Sequence, residues 1–332
     1  MNTDTVTLDD IDRGLVHALQ IDGRAPLRTL GEALGVSENT VARRYRRLRS
    51  AGVLRVVGTL NGGRLGYNAW TIRLRCTPDA AGAIARALAA RPDTSYVHLL
   101  SGGTEISCSA QTRSGDESDA LLLHRLPRTG RITAISAHLL LGHSALPNSW
   151  AGPALLTSEQ TALLSPPPVD SADAAAHADS NSDVVLDDED QPLFAVLARD
   201  GRASYAELAS TTGWSDSTVR RRLTALRRAG VLAFLVDIPP AALGFRAEAR
   251  LWMSVRPSRL AAVASAMAEH PEVSLVAMTT GPTNLLAAVS CRDAQHLARY
   301  LTERIASLDA IRSLETAPVI RTVKRAGALL PI

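Results

Sequence analysis

Hydrophobic positions near the start of the chain fall three and four residues apart, in short runs that glycine interrupts. Leu15 and Leu19 share a face in Asp9–Gln20, Leu27, Leu30, Ala33 and Leu34 in Leu27–Leu34, and Val41, Tyr45 and Leu48 in Glu38–Ser50. A period near 3.6 predicts three amphipathic helices. Asp22-Gly23-Arg24 stops the first, Gly35-Val36 makes a tight turn after the second, Ser37 is placed to cap the third and Gly52 ends it. From Trp70 to His143 the pattern changes: TIRLRC, TSYVHLLSG, TEISCSAQ and RITAISAHLLL read as strands, AAGAIARALAA and DESDALLLHRL as helices. Their order is β-α-β-β-α-β.

The whole pattern then returns. Leu186–Leu232 repeats Leu8–Leu54 without a gap and agrees at about half the positions, and a repeat of that length decides the architecture before any local reading. Asp200-Gly201-Arg202, Gly213-Trp214, Ser215 and Gly230 stand where the first copy has its stops, turn and cap. EARLWMSV, SRLAAVASAMAEH, VSLVAMTTG, TNLLAAVS, DAQHLARYLTERIAS and IRSLETAPV follow in the same order of strands and helices. Trp70 and Trp252 lie in the matching first strands and read as packing anchors.

The expected fold is therefore α+β: two copies of a helix-turn-helix domain, each followed by a ferredoxin-like βαββαβ domain with a four-stranded antiparallel sheet and two helices on one face. The expected domains are residues 1–60, 66–145, 186–237 and 244–332, with a flexible linker at 146–185. In that linker LTSEQTALL reads as a short helix capped by Thr157 or Ser158, whereas SPPPVDSADAAAHADSNSD has nothing to build a core. Such a stretch is long enough to let the two modules pair within one chain.

Charge sharpens the picture. The net +3 hides a segregation: Arg43, Arg44, Arg46, Arg47 and Arg49 crowd the third helix, Arg220, Arg221, Arg222, Arg227 and Arg228 its repeat, and acidic residues cluster between Asp170 and Asp190. Opposite Val41, Tyr45 and Leu48 the helix carries Asn39, Arg43, Arg46, Arg47 and Ser50; opposite Val219, Leu223 and Leu226 the repeat carries Ser217, Arg221, Thr224, Ala225 and Arg228. Arg44 and Arg222 lie at the boundary and read as structural. Positive charge concentrated on one helix face suits a polyanion.

Other classes find little support. No apolar run approaches the ~18 residues of a membrane span, MNTDTVTLDDIDRG lacks the profile of a secretory signal, and Cys76, Cys108 and Cys291 show no metal-ligand spacing. A reducing cytoplasm fits. With no phosphate-binding glycine loop, no Ser-His-Asp spacing and no zinc cluster, the chain is expected to be no enzyme and to carry no cofactor.

LDDIDRGLVHALQIDGR, LGVSENTVARRYRRLRSAGVL and LGY, followed by the βαββαβ pattern, resemble the Lrp/AsnC family of bacterial transcription regulators, twice and over nearly the whole chain. The resemblance implies that each third helix enters the major groove of double-stranded DNA. There two or three long side chains meet base edges while flanking ones meet phosphates, and the planar fork of arginine suits both. Asn39, Arg43 and Arg47 are expected on bases, with Ser37, Thr40 and Arg46 near the backbone. In the repeat Ser217 and Arg221 read, with Ser215, Thr218 and Arg228 on phosphates. Because Thr224 and Ala225 replace Arg46 and Arg47, the half-sites are expected to differ and the first copy to supply more affinity.

A family member is ordinarily one module that dimerises through its second domain, so this chain resembles a fused, asymmetric dimer with scope for further homo-oligomers. The resemblance also implies a small effector, commonly an amino acid, bound near a Gly-x-x-Asp segment. The matching segments are Gly102-Gly103-Thr104-Glu105 and Gly281-Pro282-Thr283-Asn284, which makes Gly102, Thr104, Glu105, Gly281, Thr283 and Asn284 the expected effector residues. Glycine-exposed amides suit a carboxylate, threonine assists, and Glu105 pairs an ammonium. Asn284 offers only a neutral carbonyl, so the first site is expected to bind a zwitterion better. Two readings stay open beside this one. A related branch with the same plan, the sirohaem decarboxylases, would use a histidine among His98, His124, His138 and His143; an architectural protein would coat DNA with little sequence preference.

Overall fold

A computed structural model of the chain describes residues 7–91, 93–113, 130–145, 155–165 and 186–325. Three helices, α1 (Asp10–Ile21), α2 (Leu27–Leu34) and α3 (Glu38–Ser50), lead into strand β1 (Arg55–Leu60). Asp9 caps α1 in a reciprocal box with Asp12, and Ser37 Oγ accepts from the Thr40 N–H at the start of α3, satisfying amides that a helix end leaves open. Gly35 takes φ +66 between α2 and α3, the left-handed conformation that turn needs. Leu15, Leu19, Leu30, Val41 and Leu48 are buried as their spacing predicts, each fully buried leucine contributing about 1.5–3 kcal/mol over an exposed one.

Next come β2 (Tyr67–Cys76), α4 (Pro78–Ala89), β3 (Thr94–Leu100), β4 (Glu105–Arg113) and β5 (Ile132–Ala145). The helix expected in DESDALLLHRL lies outside the described residues, as does most of the acidic linker. The short linker helix forms as α5 (Ser158–Leu164), capped by Thr157 in a box with Gln160. The second copy supplies α6 (Gln191–Arg199), α7 (Tyr205–Thr212), α8 (Asp216–Arg228), β6 (Leu232–Asp237), β7 (Ala247–Val255), α9 (Leu260–Ala268), β8 (Val273–Thr279), β9 (Leu285–Cys291), α10 (Ala294–Arg299) and β10 (Ile311–Lys324). DAQHLARYLTERIAS, which reads as one helix, widens to a π-helix over Tyr300–Ile305. Tyr300 is buried there, with its hydroxyl 3.1 Å from His270 Nδ1.

The copies pair like with like. The described residues of 1–66 and 154–242 form one compact unit, those of 67–153 and 243–327 the other. In the helical unit β1 runs antiparallel to β6, Arg55 opposite Asp237 and Leu60 opposite Leu232. A Cβ on Gly58 would lie 2.8 Å from Leu197 Cβ, and one on Gly23 2.8 Å from Phe234 Cβ. Each strand thus beds against the other copy, and these two glycines permit the close approach.

The sheet unit is a closed eight-stranded barrel in the order β10-β3-β4-β2-β5-β8-β9-β7. Each copy brings four antiparallel strands, and the cross-pairs β10–β3 and β5–β8 close the ring, which removes the sheet edges that invite aggregation. β10 changes partner along its length: Ile311–Pro318 pair with β7 and Val319–Lys324 with β3. One apolar layer, including Ile72, Leu74, Ile84, Leu88, Val97 and Ile106, packs with α4, and another, including Leu251, Met253, Val263, Met267 and Leu285, packs with α9. The opposite strand faces carry a smaller cluster of Leu100, Trp252, Leu286 and Ala317.

Within the matching first strands the two tryptophans take different places. Ile72 lies opposite Cys108 and Leu251 opposite Ala287, both in the helix-side layers, so the counterpart of Trp252 is Arg73 and that of Trp70 is Ala249. Trp70 packs on the α4 side and donates Nε1–H to Thr112 Oγ1 at 3.1 Å. Trp252 lies on the other face, with the Arg73 guanidinium 4.1 Å from its ring centre. Alternation in the strand, with its period of two, separates them.

Candidate functional site

The helical unit is held by a reciprocal clasp that the sequence places in its Asp-Gly-Arg repeats. Arg24 donates to Gly201 O at 2.7 Å and Ala203 O at 2.9 Å, while Arg202 donates to Gly23 O at 2.8 Å and Ala25 O at 2.9 Å. Burial pulls both guanidinium pKa values down, yet each charge meets two carbonyls, so neither fork is left unsatisfied. Around them Arg49 pairs Asp200 at 2.7 Å and Arg227 pairs Asp22 at 2.9 Å. Sequence reasoning took Asp-Gly-Arg only as a helix stop. The signal for more was its identity in both copies, since a stop does not require arginine.

A second set of ion pairs anchors each third helix to its own first helix. Arg44 reaches Asp9 at 2.6 Å and Asp12 at 3.0 Å, and Arg222 meets Asp190 at 2.7 Å. Asp12 and Asp190 are fully buried, so both boundary arginines are structural, in keeping with their place on the helix. Arg47, expected on a base, also turns its guanidinium to Asp12.

What remains outward is a smaller and unequal pair of faces. On α3 the exposed residues are Glu38, Asn39, Arg43, Arg46 and Ser50, with Arg47 and Arg49 exposed but paired and Arg46 Nε donating to Ala42 O at 3.2 Å. Ser37 is exposed and Thr40 half-buried at the cap, their hydroxyls 2.9 Å apart. On α8 Ser217, Arg221, Thr224 and Arg228 are exposed, and Ser215 Oγ lies 2.9 Å from both Ser217 Oγ and Thr218 Oγ1. Arg220, which the wheel left aside, stands over the Tyr205 ring at 3.8 Å.

The two glycine turns differ more than their sequences suggest. Gly102 and Gly103 have positive φ and open space where a Cβ would stand. Thr104 Oγ1 donates to Ser101 O at 2.8 Å, and Glu105 is buried in an ion pair with Arg73. Arg73 also holds Glu315 and thereby keeps that carboxyl below the usual range. At the second turn the His138 ring packs directly on Gly281, where any Cβ would run into it. The Asn284 amide is spent on the backbone: Oδ1 accepts from Val255 N–H at 2.7 Å and Nδ2 donates to Val255 O at 2.9 Å. Thr283 O accepts from Thr279 Oγ1 at 2.8 Å. One turn is open and charged nearby; the other is plugged.

Of the histidines, His98 is buried between Arg250 and Thr322 and His138 lies against Gly281. His124 falls outside the described residues, and His143 is described only as backbone of β5. No group of three or more metal-ligating side chains occurs among the described residues, and none of their helices is long and apolar enough to cross a membrane.

Known proteins agree with this geometry. The AsnC-type helix-turn-helix domain model matches residues 8–49 and again 186–227, and the Lrp/AsnC ligand binding domain model matches 248–329. An uncharacterised HTH-type transcriptional regulator of Pyrococcus abyssi is 34% identical over 145 residues, 43% of this chain and 91% of that protein. The chain belongs to the Lrp/AsnC family. The HTH-type transcriptional regulator FL11 of Pyrococcus horikoshii, 31% identical over 147 residues, likewise spans 44% of this chain and 97% of its own, as one module of a doubled Lrp/AsnC regulator would. Siroheme decarboxylase NirDL is similar over 97% of this chain and 95% of its own, with a TM-score of 0.63 and 15% identity. That is a likeness of fold running through both copies. The resemblance carried by LDDIDRG, the arginine-rich third helix and LGY is borne out, and the protein is an Lrp/AsnC-type transcription regulator.

Proposed function

We propose that this regulator grips one DNA site with two unlike helices, α3 and α8, and that its paired ferredoxin-like domains bind an amino acid or related small metabolite. The observation that carries the reading is the clasp, which joins the two helix-turn-helix copies within one chain while leaving different side chains outward on each. Asn39, Arg43 and Arg46 serve the first half-site, Ser217, Arg221 and Arg228 the second, with Ser37, Thr40, Ser215 and Thr218 at the caps beside the phosphates. Arg47 joins them on exchanging Asp12 for a base or phosphate. The two halves sit about one or two helical turns apart on the duplex if both helices engage together.

The open first turn, Gly102 to Glu105, is the better effector site. Its amides offer a cradle for a carboxylate, and an ammonium at Glu105 competes with Arg73. Binding shifts DNA affinity only by as much as the ligand distinguishes two states of the protein. On this reading the chain is a cytoplasmic regulator and not an enzyme. Selection of bound duplexes from a random-sequence pool at near-physiological salt tests it: a two-part motif with unlike halves is expected. Binding without any enriched motif would replace specific reading with an architectural role.

A further inference from the structure

Five of the ten arginines on the two third helices spend donors on carboxylates of the protein itself: Arg44 and Arg47 on Asp12, Arg49 on Asp200, Arg222 on Asp190 and Arg227 on Asp22. Arg46 turns its Nε to Ala42 O in its own helix. Arg220 is held in another way. Its guanidinium carbon stands 3.8 Å from the centre of the Tyr205 ring, at the first residue of α7. A ring face attracts a guanidinium through its π electrons and leaves the in-plane N–H groups free. Asp216 lies four residues earlier on α8, a spacing at which aspartate and arginine can pair, yet the Arg220 fork donates to no described residue. Arg220 is thus exposed, fixed against a neighbouring helix, and has its donors unspent.

The ring is itself well placed. Tyr205 also lies 5.1 Å from the guanidinium of Arg24, whose donors go to the carbonyls of Gly201 and Ala203. The clasp therefore sets the ring on which Arg220 rests.

The first copy has neither member of this pair. By the gap-free repeat Leu27 stands for Tyr205 and Ala42 for Arg220, whereas Arg47 has Ala225 as its counterpart. At 100° per residue, positions 42 and 220 fall on one flank of the reading face and positions 47 and 225 on the other. Tyr205 of α7 marks the first flank and Asp12 of α1 the second. A cation has changed flank between the copies. A brace needed by the fold would be expected in both, as the buried triplets Val41, Tyr45, Leu48 and Val219, Leu223, Leu226 are; the stacked pair occurs in one.

On the reading of α8 as the second recognition helix, we propose that Arg220, positioned by Tyr205, takes one phosphate of the DNA backbone on the groove wall nearer α7. A helix of ~10–12 Å diameter fills a major groove about 12 Å wide. The centre of its outward face then meets bases and its two flanks meet the sugar-phosphate walls. Ser217 and Arg221 hold the centre of α8 and Arg220 a flank. Phosphate oxygens match the planar fork, and the ring contact persists because it uses the face of the fork and not its edge. Such a contact positions the helix and carries no sequence information. It does not restore Arg46 and Arg47, whose places stay neutral at Thr224 and Ala225; it anchors the second helix to the opposite wall.

The test is fluorescence anisotropy of the full chain on the duplex selected from the random pool, over a series of salt concentrations. Arg220→Gln is expected to lower affinity about three- to tenfold and to make the fall of log affinity with log salt shallower by about one. Preference for the selected duplex over one altered at a single base pair of the second half-site should stay the same. Tyr205→Leu, which installs the first copy's residue and keeps the cation, should cost a smaller factor at an unchanged slope. An unchanged slope in Arg220→Gln would make the pair a brace, lost base preference would make Arg220 a reading residue, and full affinity in Tyr205→Leu would remove its positioning role; each overturns the proposal. If Arg220→Gln does not fold, the converse change in the first copy, Leu27→Tyr with Ala42→Arg, should steepen the slope by about one, and no steepening would overturn it. Arg43→Ala measured alongside separates the two readings. A loss there with none in Arg220→Gln defeats this contact alone, whereas a wild-type chain that binds no duplex defeats both.

Discussion

In the helical unit the hydrogen bonds and ion pairs that Asp22, Arg24 and Arg49 make to the second copy are returned by Asp200, Arg202 and Arg227, whereas in the barrel Arg250 and His98 meet at the seam between β7 and β3 and their counterparts by register, Thr71 and Ala277, stand at the seam between β2 and β8. The symmetric contacts are largely made to backbone carbonyls, which both copies present whatever their side chains. The asymmetric ones are made between side chains, which duplication frees to diverge. The paired backbone is thus the fixed part of this regulator, and the side chains on its reading helices, turns and seams are where its two halves take separate tasks.

The clasp offers the largest effect. Replacing both Arg24 and Arg202 by alanine removes four charge-assisted hydrogen bonds and leaves carbonyls without donors, a loss expected at about 3–6 kcal/mol in urea unfolding. The single variants should match each other within about 1 kcal/mol; a large inequality would break the symmetry on which the comparison stands.

Reading of DNA should be unequal by the same logic. Arg43→Ala is expected to cost about 1–3 kcal/mol, some tenfold to hundredfold in affinity for the selected site. Arg221→Ala should cost less, because Thr224 and Ala225 leave its helix with fewer cations beside it. Fluorescence anisotropy at fixed salt measures both, and a larger loss at Arg221 reverses the assignment of the halves.

How far the sequence announces all this depends on the kind of contact. The helices and strands were legible, since burial of Leu15, Val41 and Leu48, or of Ile72 and Leu74, follows from spacing alone. So was the structural role of Arg44 and Arg222, which the helical wheel sets at the edge of the reading face. Contacts across copies were not. That Arg24 clasps Gly201, that Arg47 turns to Asp12 and that His138 covers Gly281 depend on which elements the fold brings together, and no local period records it. The different faces of Trp70 and Trp252 have a similar origin: they stand three residues apart in register, an odd number, and in a strand that puts them on opposite faces.

Acid should destabilise the protein through the charged seam. The unfolded chain takes up a proton on His98 near its usual pKa of 6.5, while the folded chain, where Nε2 accepts from Arg250, resists it. A base with a depressed folded pKa contributes fully above about 6.5 and loses that contribution as pH falls below it, by at most about 1.4 kcal/mol per unit. His17 and His270 are shifted the same way by burial. His98→Gln should therefore flatten the fall in unfolding free energy between pH 7.5 and 5.5 without abolishing it. An unchanged slope would mean that the seam is not the acid-sensitive half.

The smallest effect concerns the plug on the second turn. His138 covers Gly281, and its counterpart in the pairing is Ala317, so the first turn has no such cover. His138→Ala should cost the half-buried ring's packing, about 1 kcal/mol or less, and add a second, weaker binding event to a calorimetric screen of the common amino acids. The new event should stay weak because the Asn284 amide remains bonded to Val255 and carries no charge. In the same screen Glu105→Gln should lower affinity at the first turn a few-fold, through loss of the carboxylate that meets the ammonium. A single event unaffected by either change would place the effector away from both turns and leave their difference a matter of packing.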